Sequence, residues 1–97
     1  MTTIRLKGFL AIRDTIGGSG EVELEMSKPT IRRALVDLSR SRGDQLKDLI
    51  FDLHTSDVRS DTQILVNGRH YRHFPYGLDT ELNDGDLVAI FPLVAGG

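Results

Sequence analysis

Apolar and polar residues alternate over residues 4–12: Ile4, Leu6, Gly8 and Leu10 fall on one side, Arg5, Lys7 and Phe9 on the other. A period of two is that of a strand with one buried face. Phe9 is the apolar exception on the basic side. Residues 14–20 hold Gly17, Gly18 and Gly20, a turn composition. Val22, Leu24 and Met26 then alternate with Glu21, Glu23 and Glu25. The two segments predict an antiparallel hairpin whose basic and acidic outer faces lie side by side.

At Pro29 and Thr30 the period changes. Ile31, Ala34, Leu35 and Leu38 recur at i, i+3, i+4 and i+7, one face of a helix. Thr30 is its expected N-cap, Arg40 and Arg42 occupy its last turn, and Gly43 suits C′. Asp44 reads as the cap of a shorter second helix carrying Leu46, Leu49, Ile50 and Leu53, and residues 54–61 as a polar loop. "QILVNG" (63–68) predicts a third strand ending in an Asn-Gly turn, with a short return strand around 70–72. Residues 75–80 read as a loop, Leu82 as a core plug, and Asp84-Gly85 as the turn launching a last strand from Leu87 to about Val94. Pro92 has no N–H, so that strand is expected to fray or go unpaired there. The order ββ-α-ββ-β predicts an α+β fold of β-grasp type. Its mixed sheet has about five strands, with one main helix and a short second one. The last strand runs parallel to the first in the middle of the sheet, and residues 1–94 form the domain.

Composition narrows the function classes. The 97 residues suit one domain, and 39% apolar with 27% charged residues fits a globular chain. A net charge of −2 and a pI near 5.8 argue against a nucleic-acid-binding surface. There is no cysteine, which excludes disulfides, zinc-thiolate sites and a thiol nucleophile. Apolar runs are far short of a membrane span and no basic-plus-apolar leader opens the chain, so a cytoplasmic location is expected.

Most candidate chemistry reads as structure. His70 and His73 form H-x-x-H without a carboxylate or cysteine to complete a ligand set, so no metal is expected. Gly17-Gly18-Ser19-Gly20 lies between strands and lacks a P-loop lysine. Ser39 and Ser41 beside Arg40 and Arg42 suggest no nucleophile–base pair. The Arg69–Arg72 cluster reads as a solvated loop, and Asp84 and Asp86 as turn and strand-opening residues.

The tail is different. "LVAIFPLVAGG" (87–97) runs an apolar strand into two glycines. Six residues separate Phe91 from Gly97, so an extended chain puts the last carboxylate roughly 20 Å beyond Phe91, at about 3.3–3.6 Å per residue. Gly96 and Gly97 lack Cβ and can enter a channel too narrow for side chains. Such a tail, flexible over residues 95–97, suits delivery of the Gly97 carboxylate into another protein's active site. A carboxylate is a poor electrophile until esterified with AMP, and nothing in this chain performs that step. The chain would be the substrate of an ATP-using enzyme.

"LNDGDLVAIFPLVAGG" (82–97) resembles the C-terminal signature of the MoaD/ThiS family of ubiquitin-like sulfur carriers: a leucine, a D-G-D turn, an aromatic-proline strand and a terminal Gly-Gly. "IRLKGFLAIRD", "TIRRALVDL" and "ILVNGR" are similar to the family's first strand, helix start and third strand. "AIFPLVAGG" is closer to the molybdopterin-synthase small-subunit type than to the thiazole type, and small archaeal modifier proteins share the look. The resemblance implies that Gly97 is adenylated by an E1-like enzyme with ATP and Mg²⁺. A sulfurtransferase then makes a thiocarboxylate, whose sulfur is donated in molybdopterin or tungsten-cofactor synthesis to an acceptor like the molybdopterin-synthase large subunit. The resemblance also implies that the chain itself holds no cofactor and is not an enzyme. Phe91 occupies the family's apolar docking position and Phe9 a supporting one, with Pro92, Leu93, Val94, Ala95 and Gly96 completing the contact. Three readings stay open: a sulfur carrier, including for tRNA thiolation or thiazole synthesis; a protein modifier joined through Gly97 to target lysines; and a non-covalent adaptor whose Gly-Gly is incidental. The family's usual second proline is Leu93 here, and "RHYRHFPYGLDT" has no assigned role.

Overall fold

The alternating segments become β1 (Thr2–Gly8), β2 (Glu21–Met26), β3 (Thr62–Val66), β4 (Arg69–His70) and β5 (Leu87–Pro92) of one mixed sheet ordered β2-β1-β5-β3-β4. The computed structural model describes residues 1–52, 54, 55 and 57–92. β5 lies in the middle of the sheet, parallel to β1 and antiparallel to β3, as a β-grasp requires. Ile4, Leu6, Ile64, Val88 and Ile90 point to one face and are fully buried. Each such side chain contributes about 1.5–3 kcal/mol through removal from water.

That face is covered by α2 (Ile31–Arg42) and α3 (Asp44–Ile50), whose Ile31, Leu35, Leu38, Leu46 and Ile50 join the same core. Thr30 caps α2 as expected, its hydroxyl accepting from the Arg33 N–H at 3.2 Å. Gly43, at φ 100°, is the C-cap of α2 and also the N-cap of α3. Asp44 is therefore the first residue of α3 and makes no side-chain cap, a correction to its expected role. Leu53, assigned to that helix from its spacing, lies outside the described residues. Leu82 plugs the core.

The first hairpin is antiparallel with the charge pairing expected: Arg5 lies opposite Glu23 and Lys7 opposite Glu21. Its connection is not a plain turn. β1 stops at Gly8, and Ala11–Ile16 form a short helix, α1. Ile12 and Ile16, four residues apart, both enter the core from α1, while Leu10 turns outward, 56% exposed, instead of facing the core. Gly8 is where α1 lies against the sheet. A Cβ there would come within 2.8 Å of Ile16 Cδ1 and 2.9 Å of Ile12 Cγ2.

Three smaller corrections concern the second half. The return strand is only Arg69–His70, followed by a 3-10 turn at Tyr71–His73, because Tyr71 folds back into the core. The 54–61 loop is not wholly polar, since Val58 is buried and bridges to Phe51. Pro92 does not unpair its strand, since it sits opposite Thr62 in the β3–β5 register. The Asn67 N–H donates to the Leu87 carbonyl, and antiparallel pairs alternate, so Thr62–Pro92 is a non-bonded pair that needs no N–H. On the β1 side the matching carbonyl, that of Phe9, already accepts from Ile12 and Arg13.

Candidate functional site

The strand that leads into residues 93–97 is fixed on both sides. At its start, the Asp84-Gly85-Asp86 turn ties it to β1: the Thr3 N–H donates to Asp84 Oδ1 at 2.8 Å and the Arg5 N–H to the Asp86 carbonyl at 2.9 Å. Asp86 also accepts from the Asn67 side-chain amide at 2.9 Å, and Asn67 Oδ1 accepts from the Leu87 N–H at 3.0 Å. Asn67, at φ 51°, is thus both the first residue of the β3–β4 turn and a clamp on β5. At the other end the Phe9 N–H donates to the Ile90 carbonyl at 3.0 Å. The two turns found from sequence therefore do more than reverse the chain. They set the register of the central strand against both neighbours.

β5 alternates about the sheet. Val88 and Ile90 enter the core, so Leu87, Ala89 and Phe91 face the side opposite the helices. Phe9, just past the end of β1, meets Phe91 edge-on, with ring centroids 5.8 Å apart and planes at 89°. Lys7 Nζ stands 5.3 Å from the Phe9 ring centroid. Phe9 remains 38% exposed and Phe91 is half-buried. The structure thus brings together the two aromatics singled out in the sequence, on the face where they were expected. Each is partly covered by the other.

Pro92 follows, lining a shallow cavity of about 340 Å³ with Gln45, Asp48, Leu49, Arg59, Asp61 and Thr62. The Arg59 guanidinium makes two bonds to the Asp61 carboxylate, 2.9 and 3.0 Å, and these hold the exposed Asp61 carboxyl below its ordinary pKa. Leu93, Val94, Ala95, Gly96 and Gly97 lie outside the described residues. A larger groove of about 750 Å³ opens on the helical side between α2 and α3, and no residue of β5 lines it.

One network was not foreseen. His70, register partner of Leu65 on the outer face, stacks on Tyr71 at 4.9 Å and bonds Gln63 through Nε2 at 2.9 Å. Its Nδ1 accepts from the Arg72 N–H at 3.1 Å. A backbone N–H only donates, so the ring is neutral with its proton on Nε2, donated to Gln63 Oε1. Burial lowers the His70 pKa, and the charges of Arg72 and His73 lower it further. Gln63 is in turn the register partner of Phe91. The only sequence signal for this was the period of two that put Gln63 and Leu65 on one face.

The other candidate side chains make local contacts. Ser39 and Ser41 hydroxyls donate to the carbonyls of Leu35 and Leu38 within α2. His70 and His73 have ring centroids 6.2 Å apart. Among the described residues, no three His, Cys, Asp or Glu side chains converge as a metal site, and no helix is long and apolar enough to cross a membrane. Arg69 and Arg72 lie over the Phe74 and Tyr71 rings.

Comparison with known proteins places this geometry. The model of the ThiS family matches residues 9–97. A proposed sulfur carrier protein of Archaeoglobus fulgidus is 35% identical over 78 residues, 80% of this chain and 85% of that protein. Small archaeal modifier protein 3 of Haloferax volcanii is 31% identical over 94 residues, 97% of this chain and 98% of that one. Among solved structures, small archaeal modifier protein 1 of Methanosarcina acetivorans superposes with a TM-score of 0.83 at 29% identity, covering 100% of this chain and 98% of the other.

Proposed function

The chain belongs to the ThiS family, and from that premise we propose that it is a sulfur carrier whose working group is the carboxylate of Gly97. A Gly97 carboxylate oxygen attacks the α-phosphorus of ATP in the active site of an E1-like adenylating enzyme, and pyrophosphate leaves. Hydrosulfide, released from the persulfide of a sulfurtransferase by a thiol reductant, then attacks the acyl carbon of the adenylate. AMP departs with the C–O bond electrons, leaving a thiocarboxylate. With no cysteine of its own, the chain supplies no thiol for these steps. Its part is to dock and to present the tail.

The observation that carries this reading is the family match running to Gly97 on a strand pinned at both ends by its neighbours. A central strand bonded to both neighbours gives the tail a fixed origin on the folded body. Phe91 and Phe9 supply the apolar contact, and Pro92, Leu93, Val94, Ala95 and Gly96 continue it into the partner. The acceptor of the sulfur is a large-subunit-like protein of molybdenum or tungsten cofactor synthesis.

A second reading rests on the modifier name of the Haloferax volcanii relative. In it the same acyl-adenylate is captured by a lysine amine of a target protein as an isopeptide. Incubating the mature chain with its adenylating enzyme, ATP, Mg²⁺ and a sulfur donor separates the two. The carrier reading predicts an intact-mass increase equal to one oxygen exchanged for sulfur. A ladder of conjugates on a denaturing gel without that species would overturn it in favour of the modifier.

A further inference from the structure

Leu10 occupies a conformation that its side chain disfavours, and gains little burial in return. Its φ of 55° and ψ of −129° lie in the corner required at the first central position of a type II′ turn, and the Ile12 N–H closes that turn on the Phe9 carbonyl at 3.2 Å. Glycine is the ordinary occupant of that corner because a Cβ is crowded there. Among the described residues, the other positive-φ positions fall to seven glycines and to Lys28 and Asn67. Here the chain places an aliphatic side chain and leaves it 56% exposed. Strain of this kind persists where the surroundings enforce it and is concentrated at functional positions. The residue beside Leu10 is Phe9, whose ring meets Phe91 edge-on.

We infer that Leu10, exposed next to Phe9 in the chain, is a third anchor of the docking surface and enters an apolar pocket of the adenylating enzyme. The inference rests on the carrier reading above and adds to it a residue that the apolar pattern alone assigned to the core. α1 sets the position: Ile12 and Ile16 fix the helix to the sheet over Gly8, and the turn that opens the helix leaves Leu10 exposed. Lys7, standing over the Phe9 ring, gives this surface a cationic flank. The matching pocket is therefore apolar.

The test uses the full chain and the E1-like adenylating enzyme of the same organism, with chain-dependent ATP–pyrophosphate exchange and thermal unfolding as readouts. Leu10→Gly relieves the backbone and deletes the anchor. It is expected to raise KM for the chain roughly tenfold, the loss of most of one buried aliphatic side chain from an interface. The loss falls on KM rather than kcat, while the unfolding midpoint stays level or rises. Leu10→Ala keeps the strained backbone and should raise KM similarly without the gain in midpoint. An unchanged KM for Leu10→Gly, with a raised KM for Phe91→Ala, would overturn the role of Leu10 and leave the docking reading standing. No KM change for either variant would overturn the docking surface itself. A clear fall in midpoint for Leu10→Gly would show that Leu10 serves the fold, and would also overturn the inference.

Discussion

Removing the Phe91 ring tests the geometry of the docking surface quantitatively. A fully buried Phe→Ala change costs about 3–5 kcal/mol. Phe91 is only half-buried, so about half of that transfer and cavity cost applies, roughly 2 kcal/mol. Part of it is the edge-on contact with Phe9, at 5.8 Å and 89°. Such contacts contribute about 0.5–1.5 kcal/mol beyond area burial. Phe9→Ala alone, at a more exposed position, should cost about 1 kcal/mol. The double variant should then cost about 1 kcal/mol less than the sum, because the shared contact is lost only once. Urea unfolding of the four proteins followed by circular dichroism measures all three quantities. Additivity to within about 0.3 kcal/mol would refute the paired geometry. A loss above about 4 kcal/mol for Phe91→Ala would put that ring in the core.

Further predictions address the strand and the tail. Asn67→Ala removes the side-chain bonds to Asp86 and Leu87 and leaves an alanine at positive φ, so it should cost about 2–3 kcal/mol in urea unfolding. Asn67→Gly should recover the backbone part, and equal losses for the two would contradict the clamp. Because His70 has a lowered pKa in the fold, the unfolded chain binds its proton more readily. Stability from this residue is complete above the ordinary histidine value of 6.5, falls as pH drops through the folded pKa, and then levels off. His70→Gln should flatten that slope in pH-dependent thermal melts, and an unchanged slope would contradict the neutral ring. Deleting Gly97 should abolish chain-dependent pyrophosphate exchange while leaving the urea midpoint unchanged, and retained exchange would remove Gly97 from the reaction.

Legibility in the sequence followed the length of each signal. The E-V-E-L-E-M alternation, the Thr30 cap and the Asn67-Gly68 turn are local, and each has one favourable structural solution. Together they fix three of the five strands and the main helix. α1 was hidden because Leu10 and Ile12 continue the alternation of Ile4, Leu6 and Gly8, and a helix with only Ile12 and Ile16 inward has too short a period to show. What ends the strand is a change of backbone sign at Leu10, which side-chain pattern does not encode. Pro92 was read from its missing donor alone, whereas ladder parity decides whether that donor is needed. At the site, the aromatic pair was legible from strand parity. The Asp86–Asn67 clamp and the Gln63–His70 bond were not, since each joins residues brought together only by folding.

The central claim is that chemistry happens at the last residue of the chain, in machinery the chain does not contain. Fragmentation mass spectrometry of the mature protein, after reaction with adenylating enzyme, ATP and sulfur donor, addresses it most directly. The account predicts a sulfur-for-oxygen mass change confined to the fragment carrying Gly97 and abolished when ATP is withheld. A change located on any internal residue, or one that forms without ATP, would contradict it.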